Sequence, residues 1–187
     1  MKAVTILKEE HRQILWFLDQ LSLAGERIVK SENPPRKFFD EAITFARQFA
    51  DKFHHYKEEE IMFRILAQKH NGALDAELDQ LKQQHVQCRN FVSAIADALD
   101  GYEEGNQSQT RVLHRNLQEY IKSLRNHIDH ENVRFFPKAG RELSPSELEM
   151  LEGEFARWES KMGGAVNSEN EHRLHVMSSL LQPGLKV

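Results

Sequence analysis

Two segments of this chain carry one pattern, a histidine, three residues, a glutamate, four residues and a phenylalanine. His54 and Glu58 run on to Phe63, and His127 and Glu131 run on to Phe136. A lone histidine precedes each at nearly equal distance, His11 before the first and His85 before the second. Imidazole nitrogens and carboxylate oxygens suit iron, manganese or zinc and disfavour a soft-metal site. Four imidazoles and two carboxylates make a ligand set for a dinuclear centre. Each metal would take two histidine nitrogens, one oxygen from each bridging carboxylate and a shared oxo or hydroxo group. An octahedral metal then keeps one position open on each side, which suits dioxygen or nitric oxide and favours two iron ions, with zinc or manganese as alternatives.

The elements that must position these groups are helices. Residues i and i+4 of an α-helix lie on one face, about 6 Å apart along the axis, so a His and a Glu at that spacing can aim at one buried point. The sequence has that periodicity throughout. Val4, Leu7, His11, Ile14, Leu18 and Leu21 form a first stripe. Phe39, Ile43, Ala46, Ala50, His54, Glu58, Ile61 and Ile65 form a second. Leu74, Leu78, Leu81, His85, Cys88, Val92, Ile95 and Leu99 form a third, and Leu113, Leu117, Tyr120, Leu124, His127, Glu131 and Phe135 a fourth. Each proposed ligand falls on an apolar stripe and not on a charged face.

Breaks between the stripes fall at Ser31 to Pro35, at Asn71-Gly72 and at Gly101 to Ser108, with Pro137 and Gly140 expected to close the fourth helix. Short linkers imply antiparallel neighbours. The expected fold is all-α, an up-down-up-down antiparallel four-helix bundle with a C-terminal helical extension. Residues 1–140 would form the bundle and 141–187 accessory helices. Ser144-Pro145-Ser146-Glu147 is a capping box with proline at the first helical position. Leu148, Leu151, Phe155 and Trp158 then make one apolar face, and a shorter pattern follows at Leu174, Met177 and Leu181. This region is expected to pack on the bundle or on a second subunit as a homodimer.

Composition narrows the function classes. The chain has 187 residues, 40% hydrophobic and 29% charged, with a formal net charge of −4. That balance is globular and gives no reason to expect nucleic acid or a membrane surface as partner. No apolar run approaches the roughly 20 residues that span a bilayer, and the N-terminus lacks a signal-peptide pattern. The expected location is the cytoplasm. A single cysteine, Cys88, excludes an internal disulfide and a cysteine-rich metal site within one chain.

Taken singly, a histidine on an apolar stripe is more often a satisfied core residue than a ligand. Here four helices each supply one, and two add a glutamate a turn later. Two carboxylates in a core need a cation or a protonated partner, because a buried unpaired ion costs several kcal/mol. His55 and Glu59 repeat the spacing one position along, but their face is more charged, and His54 with Glu58 is preferred. His130 is read as solvated, Cys88 as a small buried residue, and Tyr120 as either packing or an outer partner of the site. His70, His114, His172 and His175 read as surface residues. The paired Glu-x-x-His motifs of ferritin-like sites are absent, the one instance being Glu169 and His172, and so is the zincin motif His-Glu-x-x-His.

Over residues 1–140 the chain resembles the hemerythrin-like (HHE cation-binding) family, in its bacterial hemerythrin-like branch. The resemblance rests on Glu10-His11, on His54 through Glu58, Glu59, Ile61, Met62 and Phe63, on His85, and on His127 through Glu131, Asn132, Phe135, Phe136 and Pro137. It implies a four-helix bundle with His11, His54, Glu58, His85, His127 and Glu131 as iron ligands. Oxygen-carrying members have a fifth histidine on the third helix; here Leu81 and Arg89 stand four residues either side of His85. The four-His, two-Glu set is closer to the iron–sulfur-centre repair proteins. The implied function is binding or sensing of oxygen, nitric oxide or iron. A di-iron enzyme of nitric oxide or peroxide detoxification, or of iron–sulfur repair, is the alternative.

Overall fold

Helices make up the regular structure of the described residues, which in this computed structural model are 2–67, 69 and 72–181. Helix α1 spans Lys2–Val29. Helix α2, residues 36–66, begins as an ordinary helix over Arg36–Phe45. It widens into π-helix over Ala46–His55 and again over Lys57–Met62, then closes with Phe63–Leu66. Helix α3 spans Asp75–Asp97, followed by a short helical turn, Leu99–Glu103. Helix α4, residues 107–142, is α-helical over Gln107–His130, π-helical over Glu131–Phe135 and α-helical again over Phe136–Glu142. Helices α5 (Pro145–Met162) and α6 (Val166–Leu181) complete the described chain.

Local chemistry explains the ends. Asn106 caps α4, its side chain accepting from the backbone N–H groups of Ser108 and Gln109. The expected capping box forms at Ser144 and Glu147, with Pro145 in the first turn of α5. Gly101 lies inside the short turn after α3 and not in a loop. A side chain there would come within 2.4 Å of Gln109 Cγ, so only glycine lets the start of α4 fold back this closely. Pro137 and Gly140 do not end the fourth helix as expected; α4 continues to Glu142. Proline lacks the N–H that an unbroken helix would use and crowds the carbonyl four residues back. Pro137 is tolerated because it follows the π-helical turn, where the bonding register changes from i→i+5 to i→i+4.

The four stripes are the buried faces, with only Ile43 and Ile65 half-buried. Their apolar members divide into two clusters. One gathers Leu7 of α1, Met62 and Leu66 of α2, Leu78 and Leu81 of α3, Phe135 and Phe136 of α4, and Leu151 and Phe155 of α5. The other gathers Ile14 and Leu21 of α1, Phe39 to Phe53 of α2, Cys88 to Ile95 of α3, Leu113 to Ile128 of α4, and Leu174, Met177 and Leu181 of α6. Along α2, Phe45, Phe49 and Phe53 stack in sequence with ring centroids 5.1 and 5.5 Å apart. Each fully buried phenylalanine contributes about 1.5–3 kcal/mol of burial free energy. Between the two clusters every one of the four long helices places polar residues: His11, then His54 to Glu58, then His85, then His127 and Glu131. The two C-terminal helices bury their apolar faces in these same clusters, one in each.

Candidate metal centre

All six residues expected to bind metal meet in the layer between the clusters, each no more than 1% exposed. His55 joins them. Two groups of donor atoms lie close enough to hold an ion: His11, His54, Glu58 and Glu131 on one side, and His55, Glu58, His85 and His127 on the other. Glu58 belongs to both. Glu131 also faces both sides, with Oε2 3.3 Å from His11 Nε2 and 3.1 Å from His127 Nε2.

His54 and His55 both reach this layer, and the reason is the helix type. An α-helix turns about 100° per residue, which would swing His55 away from His54. In a π-helix, with i→i+5 bonds, a turn holds more residues and successive side chains diverge less. Glu58 is then set almost over His54, their donor atoms 3.4 Å apart, while His55 still reaches the same layer. The His55 ring lies flat on His85, centroids 3.8 Å apart. Glu59, the expected companion of His55, takes a different place. Its Oε1 accepts from His85 Nδ1 at 2.7 Å and from Arg89 at 2.6 Å.

Each imidazole turns its Nδ1 to an acceptor outside the layer, and the inward Nε2 atoms of His85 and His127 meet each other at 2.9 Å. Nδ1 of His11 meets Asn132 Oδ1 at 3.0 Å, Nδ1 of His54 meets Glu10 Oε2 at 2.8 Å, and Nδ1 of His127 meets Gln84 Oε1 at 2.8 Å. His85 has Glu59 in this role, and His55 has Asp51 at 3.4 Å. An acceptor at Nδ1 fixes the ring and places its proton there, which leaves Nε2 as a lone-pair donor. The Nε2 atoms of His11, His54 and His55, and both oxygens of Glu58 and Glu131, are buried with no hydrogen-bond partner. Buried polar groups are almost always paired. Seven orphaned donors facing one space are what a cation would satisfy, so these residues fit bound metal.

The electrostatics point the same way. Burial opposes a charge on His54, but the Glu58 carboxylate and the Glu10 hydrogen bond outweigh it and push its pKa up to about 10. Burial likewise opposes a charge on His127, and Glu131 overrides it to raise the pKa. Burial would raise the Glu131 pKa, yet His127 and His11 hold it well below the carboxylate range. On His55 burial prevails and drives the pKa down to about 4. Burial, with His55 and His127 nearby, also holds His85 well below its usual value. Without a cation these neighbours favour a proton on His54 and on His127. A metal ion replaces those protons as it binds.

The remaining residues fall outside the ligand set. His130 is half-buried and pairs with Glu77 at 3.4 Å. His172 and His175 are exposed, His175 resting edge-on against Trp16, while His114 is half-buried. His70 lies outside the described residues. Cys88 and Tyr120 are buried and line a cavity of about 260 Å³ with His55, Asp51, Arg89 and neighbouring small residues. Sequence reasoning missed the roles of Glu10, Asp51, Gln84 and Asn132. Glu10, Gln84 and Asn132 each stand one residue from a candidate ligand and Asp51 stands four before His55; Glu10 and Asn132 also fall within the motifs that carry the family resemblance.

Among the described residues no helix is long and apolar enough to cross a membrane. A family model, the Hemerythrin HHE cation binding domain, matches residues 2–139. No curated protein and no solved structure matches the chain.

Proposed function

The chain belongs to the hemerythrin HHE cation-binding family, and on that premise we propose a non-haem di-iron centre that binds or senses a small diatomic ligand, oxygen or nitric oxide. The observation that carries this reading is the common orientation of the imidazoles. Every Nδ1 is anchored outward, and seven inward donor atoms of five residues have no partner within the protein. The alternation of the long helices between the two apolar clusters supports the up-down-up-down antiparallel four-helix bundle as the frame.

The proposed ligands are His11 and His54 for one iron and His55, His85 and His127 for the other, with Glu58 and Glu131 between them. This three-to-two division differs from the symmetric four-histidine set expected from the sequence. In the expected set both metals kept an open position. With His55 counted, the side of His11 and His54 would have fewer protein donors and so more room for an exogenous ligand. Iron held there would supply a redox couple. The protein supplies dry surroundings. His11 stacks on Phe136 with centroids 5.5 Å apart, and both apolar clusters press against the layer.

A di-iron enzyme, in peroxide or nitric oxide reduction or iron–sulfur repair, is a second reading. One observation favours it. The cavity beside His55 brings two oxidisable side chains, Cys88 and Tyr120, next to the centre. Elemental analysis after iron-replete expression separates the metal question from the rest. About two metals per chain, chiefly iron, are expected; one zinc and no iron would refute the centre. Spectral titration of the reduced protein with nitric oxide then tests the open side. One equivalent bound per chain supports the three-to-two division, and two equivalents would restore the symmetric set.

A further inference from the structure

Lys57 is fully buried, although it is a lysine in the middle of the centre's own helical segment. Its ammonium bonds Glu10 on one side and Glu159 Oε1, at 2.6 Å, on the other. It also lies over the Phe53 ring, 3.9 Å from the centroid. Glu10 uses one carboxylate oxygen for Lys57 and the other for His54 Nδ1. The carboxylate that anchors a ligand histidine is therefore shared with a buried cation, and that cation is shared with α5.

Helix α5 is built to hold this contact. Trp158 stacks on Tyr56 with centroids 3.7 Å apart, and its indole N–H donates to the Phe53 carbonyl at 3.2 Å. Phe155 packs in the adjoining core, its ring within 5.7 Å of the same ammonium. All three α5 residues lie beyond residues 2–139, the part matched by the family. An ammonium withdrawn from water costs several kcal/mol unless paired. Two carboxylates around one ammonium leave the group with a net negative charge, which faces His54 through Glu10.

We propose that α5 tunes the metal held by His54, acting through the line Glu159, Lys57, Glu10 and His54. This rests on the proposed di-iron reading. A carboxylate accepting from the Nδ1–H of a ligand histidine makes the imidazole a stronger donor. Lys57 draws on that carboxylate and weakens the effect; Glu159 offsets Lys57 and restores it. Glu159 and Lys57 are thus positioning residues with opposite signs. Loss of the Glu159 charge leaves more positive charge near the metal and favours the reduced state. Loss of the Lys57 charge favours the oxidised state.

The test is a spectroelectrochemical midpoint potential on the full chain loaded with iron, with iron content measured on the same samples. Wild-type protein without iron would defeat the di-iron reading itself, separately from this proposal. Given loaded wild type, Glu159→Gln should keep its iron and show a raised midpoint potential, and Lys57→Met a lowered one. Glu159 is half-exposed at its outer edge, so its variant is the decisive one if Lys57→Met does not fold. A wild-type potential in Glu159→Gln, or loss of its iron, would overturn the proposal. So would shifts of the same sign in both variants, since general loosening of the fold has no reason to reverse sign with the charge removed.

Discussion

Replacing His55 by leucine tests the centre at the point where structure and sequence diverged most. The two side chains have similar bulk, so the stack on His85 at 3.8 Å is replaced and not emptied. In the metal-free protein the exchange removes a buried, uncharged imidazole whose Nε2 has no partner. Its effect there should stay within about 1 kcal/mol, because an unsatisfied polar atom disappears along with the ring contacts. With metal the result should differ. Losing the outer partner of a ligand histidine costs about 10–100-fold in metal affinity, so losing the donor itself should cost at least roughly 100-fold, or about 3 kcal/mol. Metal that binds only the folded state stabilises it by that linkage. For a chain of this length about 1 kcal/mol moves Tm by roughly 2–4 °C, so the metal-bound variant should melt about 6–12 °C below metal-bound wild type. Acid gives an independent sign. The folded pKa of His55 lies at about 4, below its ordinary 6.5, so its contribution in the metal-free protein is present above pH 6.5 and is lost as pH falls toward 4. Metal-free His55→Leu should therefore resist acid better than wild type across that window. Calorimetric scans with and without metal, at both ends of it, measure all three effects. An equal metal-dependent gain in Tm for variant and wild type would show that His55 is not a ligand.

Other perturbations carry equally definite signs. Glu131→Ala should lose most of its metal by elemental analysis, while His130→Ala, which removes only a contact to Glu77, should retain it. Glu59→Gln should weaken metal binding about 10–100-fold by competition with a chelator, since Glu59 orients His85 without facing the centre. In the metal-free protein His54 has its pKa raised from 6.5 to about 10, so its stabilisation is fully present below pH 6.5 and is lost as pH rises through 10. Urea midpoints of metal-free protein should fall across that range, and metal should abolish the trend. Phe155→Ala removes a fully buried ring of α5 and should cost about 3–5 kcal/mol in denaturant unfolding.

Much of this arrangement was legible in the residues themselves. The four apolar stripes are the faces that fold inward, and the break before α5 follows from one capping box. The candidate ligands stood out because a histidine or glutamate on an apolar stripe has to be explained by a partner. What stayed hidden depended on helix type. Ala46, Ala50, His54 and Glu58 follow one another at steps of four, as do His127, Glu131 and Phe135. A period near four is longer than the 3.6 of an α-helix, and these stretches include the π-helical turns. The more charged face of His55 makes it an alternative to His54, and proline's missing N–H makes Pro137 a stop; the π-helical turns remove both objections. The outer partners were hidden for another reason. Gln84 acts on a histidine of a neighbouring helix, which no periodicity marks, and Asp51, though four residues before His55, has the spacing of an ordinary exposed helical pair.

The π-helical segments also explain how four helices supply five imidazoles. One helix must deliver two adjacent histidines and a glutamate to the same layer, which ordinary helical geometry forbids. Widening the turn does this without breaking the helix, at the cost of poorer backbone bonding through the middle of α2. That middle is where other support is concentrated. Phe49 and Phe53 stack below it, Lys57 is clamped between Glu10 and Glu159, and Tyr56 lies under Trp158. Two of those contacts come from α5. The helix that follows the family's matched region therefore steadies the least regular part of the fold, beside the candidate metal centre. A centre made from α1 to α4 alone would have its buried lysine short of one carboxylate and its widened helix short of one wall.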